Sequence, residues 1–127
     1  MELEQAEKLA DELIAAEIGK QDQMWGRLNE RADTKRGQLL KAGIASAIAT
    51  NWRINGYPKA FQEVPAIYPS DWSGFRDYGS DIANIVVAIS FLRQEVKRKL
   101  MNGEDYTRTS RRPDQPYNPD SGLPKEI

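Results

Sequence analysis

Over residues 3–18 the apolar side chains Leu3, Ala6, Leu9, Ala10, Leu13, Ile14 and Ile18 recur at three- and four-residue steps. Glu and Asp fill the opposite face, which predicts an amphipathic helix. Gly19 weakens it, and the polar residues 20–22 read either as a break or as a continuation. Met24, Trp25, Leu28 and Ala32 then resume helical spacing, so a short second helix or a kinked extension of the first is expected. Asp33 or Thr34 is placed to cap the next helix, because a short side-chain oxygen there accepts an orphan N–H of the first turn. That helix carries the stripe Leu40, Ile44, Ile48 and Trp52 among small residues: Ala42, Gly43, Ala45, Ser46, Ala47 and Ala49. Small residues four apart offer flat surfaces for close approach. The helix should therefore be central, and its small-residue faces are where copies of the chain would associate. Asn55-Gly56 followed by Tyr57-Pro58 stops it. A last long helix begins near residues 77–81 and runs to about Met101, its period kept by Ile82, Ile85, Val86, Ile89, Leu92, Val96 and Leu100. Acids at its start and Arg93, Lys97, Arg98 and Lys99 near its end both suit the helix dipole, and Asn102-Gly103 is a C-terminal stop.

The β-branched run Ile85-Val86-Val87 has no strand-like partner, and the periodicity around it is near 3.6. The expectation is an all-α fold: a small bundle of three to four main helices with a long aromatic and proline-rich connection. Residues 1–103 form the helical domain. Residues 104–127, polar and holding four prolines, bury too little apolar surface to offset ordering entropy and form an extended or disordered tail.

The connection concentrates the aromatic residues. Seven of the chain's eleven fall between positions 52 and 78 (Trp52, Tyr57, Phe61, Tyr68, Trp72, Phe75 and Tyr78), threaded with Pro58, Pro65 and Pro69. A single helical turn over residues 59–63 and another started by Ser70 are the most regular structure it suggests. Ordered connections of this length are commonly functional or self-packed loops.

Composition then narrows the chemistry. Cysteine and histidine are both absent, which removes thiolate and imidazole catalysis and the usual zinc sites. Any chemistry would rest on carboxylates, Lys, Tyr, Ser or Thr, or on a hard cation bound by oxygen. The acidic amphipathic start is the reverse of a secretion signal, and the longest apolar-rich run, residues 42–49, is far short of the ~20 residues that span a bilayer. A soluble protein of the cytoplasm is expected, with no membrane partner. No phosphate-binding, dinucleotide-binding, calcium or zinc motif occurs, and a duplex-DNA reader is not expected from a chain with net charge −1.

The charges are nonetheless segregated. Residues 1–22 hold seven acids against two lysines, and residues 27–59 hold seven bases against Glu30 and Asp33. The basic segment is either an anion-facing surface or the packing complement of the acidic helix, in its own chain or in a partner subunit. Two constellations follow. Arg36, Arg53 and Arg76 for charge, with Tyr68, Trp72 and Tyr78 for stacking, form a candidate ligand site for a nucleotide-like anion, since arginine forks bind phosphate and aromatic faces stack on bases. Lys35-Arg36-Gly37 would also stand at a helix N-terminus, which favours an anion. The competing reading makes the aromatics a satellite core and the arginines partners of local acids. The second constellation is acidic: Glu30 with Asp33 and Asp77 with Asp81, with Glu4, Glu7 and Asp11 along one helix face, at spacings that put carboxylates on a common side for Mg²⁺. Asp77 and Asp81 are equally explained as helix-start residues.

The order of residues resembles a group of small, functionally uncharacterised proteins encoded by bacteriophages and prophages. The resemblance rests on Trp25-Gly26, the acidic turn with Glu30 and Asp33, Gly37-Gln38-Leu39 with Ala42 and Ala45, Tyr68-Pro69 with Trp72, Phe75-Arg76, Asp81, and Glu95 with Arg98. It covers roughly residues 20–100. Where members of that group often carry a histidine in the acidic turn, this chain has Lys35 or Arg36. The resemblance implies a shared fold and a phage setting, hence the cytoplasm of a bacterial host, and hands over no activity. The expected function is that of a non-catalytic binding protein that forms a homo-oligomer and acts as a counter-defence factor, sequestering a nucleotide-like anionic ligand or inhibiting a host protein, with no cofactor. The alternatives are a divergent all-α, Mg-dependent nucleoside triphosphate pyrophosphohydrolase using Glu30, Asp33, Asp77 and Asp81, and a virion structural or assembly protein.

Overall fold

In the computed structural model of the protein, residues 1–60 and 62–106 are described; Phe61 and most of the expected tail, residues 107–127, lie outside them. Three helices carry the fold: α1 (Leu3–Trp25), α2 (Gln38–Ile54) and α3 (Asp81–Met101). Among the described residues there is no strand. The all-α expectation holds.

Helix α1 runs unbroken through Gly19 and takes in Met24 and Trp25, whereas Leu28 and Ala32, expected in the same second helix, fall in separate turns beyond its end. A mid-helix glycine costs about 1 kcal/mol relative to alanine, and Gln21, packed to 1 % exposure two residues on, holds the helix past it. After α1 come two 3₁₀ turns, Leu28–Glu30 and Ala32–Thr34. Neither Asp33 nor Thr34 caps α2. Thr34 Oγ1 donates to the Arg31 carbonyl at 2.6 Å, and Asp33 is taken up by Arg31 and Trp72. Gly37 precedes α2 instead, and the Gln38 side chain accepts the Arg36 N–H at 2.8 Å. Helix α3 starts where its sequence says it should, with Ser80 Oγ accepting the Ala83 N–H at 3.2 Å.

Helices α2 and α3 make the most extensive contact and run antiparallel: Gly43 lies against Ala88 and Leu92, while Arg53, ten residues on, reaches Asp81. A Cβ on Gly43 would stand 3.0 Å from the Ala88 carbonyl oxygen and 3.0 Å from Leu92 Cγ, so only glycine lets the backbones come this close. The buried face of α2 is its small-residue face, with Leu39, Ala42, Gly43, Ser46, Ala49 and Thr50 turned inward. Helix α3 of the same chain occupies that face, the close helix approach its small residues allow. Leu28, Leu39, Ala42, Val87 and Phe91 form the apolar core, with Tyr68 and Trp72 packed against it.

Helix α1 joins α3 differently. Gln94 Nε2 donates to Gln21 Oε1, and Ser90 Oγ donates to the Val86 carbonyl and, at 3.4 Å, to the Ile14 carbonyl. The inward face of α3 is largely polar: Asn84, Ser90, Gln94 and Glu95 are all buried. Of the residues that keep its period, Ile82, Ile85, Ile89, Val96 and Leu100 point to the surface, while Leu92 turns partly in against Gly43.

Candidate functional site

The connection between α2 and α3 is fastened at its base. Arg53, near the end of α2, donates to Asp77 Oδ1 at 2.9 Å and to Asp81 Oδ1, and the Asp77 carboxylate also accepts the Gly79 N–H and Asn84 Nδ2. Side-chain exposures of 16 % for Arg53 and 6 % for Asp77 make this an interior ion pair that ties α2 to the segment leading into α3, with Asp81 the contact on α3 itself. Beyond Gly56, whose φ of +70° is the left-handed turn the sequence predicted, the chain proceeds by turns. In place of a helical turn over residues 59–63, the Ala60 N–H reaches the Tyr57 carbonyl and the Gln62 N–H reaches that of Lys59. Pro65 and Pro69 each open a further turn, closed by the N–H of Tyr68 at 2.9 Å and of Trp72 at 3.1 Å. These turns present Tyr68 and Trp72 on one side, where they pack edge to face with centroids 6.4 Å apart.

From the opposite direction come the end of α1 and the two 3₁₀ turns. Asp22 Oδ1 accepts the Leu28 N–H at 3.2 Å, setting the exit from the helix. Arg31 then folds back. Its NH1 donates to the Trp25 carbonyl at 3.1 Å, satisfying a helix-end acceptor, and its Nε and NH2 hold Asp33 in a two-bonded fork. Asp33 Oδ2 also accepts the Trp72 indole N–H at 3.1 Å. One carboxylate thus connects the acidic turn to the aromatic connection across 39 residues of chain.

Between these parts lies a cleft of about 190 Å³. Trp25, Tyr68 and Trp72 line it with the buried Leu28 and Phe91, and Arg31, Asp33, Asp71 and Ser73 supply its polar groups. Tyr68 donates its hydroxyl to the Ser73 carbonyl at 3.3 Å, and burial, followed by the neighbouring Tyr78, pushes its phenol above the ordinary tyrosine value. One guanidinium faces two carboxylates here, so the cleft is not a phosphate cradle. It offers aromatic faces beside a fixed edge holding both a donor and an acceptor.

Of the six ligand residues expected from the sequence, Tyr68 and Trp72 line this cleft. Arg76 and Tyr78 line a smaller hollow of about 30 Å³ that shares Tyr68, where the Arg76 guanidinium sits 5.8 Å from the centroid of the Tyr78 ring. Glu17 and Gln21 of α1 border the same hollow, and burial raises the Glu17 carboxyl above its ordinary value against the opposing pull of Lys20. Arg36 is exposed at the start of α2, away from both. Arg53 is committed to the base of the connection.

The acidic alternative is dispersed. Glu30 pairs with Arg27 at 3.5 Å on the surface, Asp33 belongs to the cleft, and Asp77 and Asp81 flank Arg53. Among the described residues no three acidic side chains gather as a metal site. Sequence reasoning passed over Trp25, Asp71 and Phe91 as site residues. The one available signal was that a half-buried indole needs an acceptor for its N–H, with Asp33 the free-standing carboxylate of the acidic turn.

No helix among the described residues is long and apolar enough to cross a membrane. No family model, curated protein or solved structure matches the chain. What the cleft does is therefore read from its own residues.

Proposed function

We propose that this is a non-catalytic binding protein that holds a planar, nucleobase-like ring in the cleft between Trp25, Tyr68 and Trp72. The observation that carries this reading is the Trp72–Asp33–Arg31 chain of hydrogen bonds. It fixes an aromatic wall and, next to it, an edge that both donates and accepts, the combination that recognises a heterocycle by stacking and hydrogen bonding. The size agrees. Sites for drug-sized ligands run from roughly 300 Å³ upward, whereas this cleft, at about 190 Å³, fits a single ring system and leaves any phosphates of a nucleotide outside. Arg36, Arg53 and Arg76 do not line it, so the ligand is selected by its ring more than by its charge. The resemblance to phage-encoded proteins supplies the setting: a small accessory factor that sequesters a nucleotide signal, with inhibition of a host protein as the same surface used on a protruding aromatic or amide side chain. A hydrolase would need Glu30, Asp33, Asp77 and Asp81 to converge on Mg²⁺, and they are engaged with three separate arginines.

Calorimetry and tryptophan fluorescence against a panel of bases, nucleosides, nucleotides and cyclic nucleotides test this. A base and its nucleotides should bind alike, and Trp72→Ala should weaken binding by about two orders of magnitude, as loss of a stacking face at ~1–3 kcal/mol allows. Arg36→Ala should change nothing. Binding that tracks phosphate number and depends on Arg36 or Arg76 would overturn the ring-first reading; no heat with any member of the panel would remove the small-ligand reading altogether.

A further inference from the structure

All three helices present apolar residues outward that their own chain does not cover. On α3 the outward stripe contains Ile82 at 67 % exposure and Val96 at 56 %, while Ser90 and Gln94 at 0 % face inward. On α1 every residue up to position 13 is exposed, including Leu3 at 73 % and Leu9. The helix first meets α3 near Leu13 and Ile14. Everything before that is an overhang of roughly 16 Å at 1.5 Å per residue. A helical segment this short gains little from propensity and depends on packing of its apolar face. Contiguous apolar surface of this kind marks an interaction site.

Charge identifies the occupant. Glu7 and Asp11 flank the overhang's apolar stripe, and residues 1–13 hold five acids against Lys8. On α3, exposed Arg93 and Lys97 border Ile89 and Val96. The two surfaces match in polarity and in length, since residues 85–96 span roughly 18 Å at the same rise. Within one chain they do not meet, because α1 engages α3 only from its second half, at Ile14 and Gln21. A second copy brings them together, and a two-fold axis does so twice. We infer that the protein is a homodimer in which the acidic overhang of each α1 lies along the outer apolar stripe of the other copy's α3. This assignment is independent of what the cleft binds. It replaces the small-residue face as the contact between copies.

Sedimentation velocity of the full chain at tens of micromolar should give twice the chain mass. Leu9→Glu and Val96→Glu, both at positions exposed within the single chain, should each yield monomers that keep the helical circular dichroism of the α2–α3 pair. The double change Arg93→Glu/Lys97→Glu should weaken the dimer by about tenfold or more, as removal of complementary charge pairs does. Adding Glu7→Lys/Asp11→Lys to it should restore association. Because the chain has no cysteine, Leu9→Cys mixed with Val96→Cys should form an intermolecular disulfide on oxidation. A monomeric wild type overturns the inference, and so does a dimer indifferent to Leu9→Glu or a charge swap without rescue.

Discussion

Helix α3 has two helical neighbours and meets them by opposite means. Against α2 the contact is tight and built from small residues, with Gly43 admitting the Ala88 carbonyl and Leu92 to touching distance and Arg53 locking the far end to Asp77. Against α1 the contact is made through amides and a hydroxyl, Gln21 with Gln94 and Ser90 with the Ile14 carbonyl. The first interface gains dispersion and excludes water; the second gains hydrogen bonds that an unfolded chain also makes with water, so its net contribution per bond is modest, about 1 kcal/mol. The α2–α3 pair is thus the stable unit, and α1 is the element that its polar seam positions without holding over its whole length.

The largest break in this contrast should come from Gly43→Val. Its Cβ meets a backbone oxygen and a packed leucine, so overpacking should cost about 3 kcal/mol, read as a lower urea midpoint with the slope unchanged. A smaller effect is expected at the polar seam. Gln94→Leu leaves the buried Gln21 amide without its partner and should cost about 1–2 kcal/mol, whereas Gln21→Leu with Gln94→Leu removes both polar groups and should recover most of that loss in a double-mutant cycle. If the double variant is no better than the single, the seam is more than a local pair. The smallest effect belongs to Glu17→Gln. Burial raises the Glu17 carboxyl in the folded state above its unfolded value, so folding binds the proton more tightly, and native stability is fully present below the unfolded value and declines as pH rises through the folded one. The glutamine variant should melt slightly higher than wild type at pH 7 and equally at pH 3.5; a gain that persists at pH 3.5 would place its cause elsewhere.

The three helices were legible because Leu3 to Ile18 and Ile82 to Leu100 keep a helical period, and the ends of α2 and α3 because Gly56 and Asn102 sit where stops belong. The end of α1 and the start of α2 were not, since Gly19 did not break the first helix and Asp33 and Thr34 were engaged elsewhere. Which face turned inward was not. Periodicity assigns the apolar stripe to whatever covers it, and in α3 the cover is not its own chain, so Asn84, Ser90 and Gln94 took the interior while Ile82 and Val96 stayed outside. The site was half legible. Tyr68 and Trp72 stood out by residue type, and Asp33 by its place in an acidic turn, yet they belonged to different hypotheses until the indole N–H joined them. Arg53 misled for a physical reason: an arginine among aromatics looks alike whether its fork is aimed at a ligand or at Asp77 and Asp81.

The closed base of the α2–α3 connection has a consequence for how such a protein diversifies. Since Arg53 grips Asp77 and Asp81 from the end of α2, the two helices stay registered whatever lies between, and lengthening the exposed turns of the intervening chain adds only a slowly growing closure entropy, about 0.6 kcal/mol per doubling. Residues 57–76 are in this sense a cassette. Tyr68 and Trp72, packed on the core, are its fixed points, while its exposed turns can be exchanged for others, giving new cleft rims on an unchanged pair of helices, in the manner of an interchangeable loop on a fixed frame.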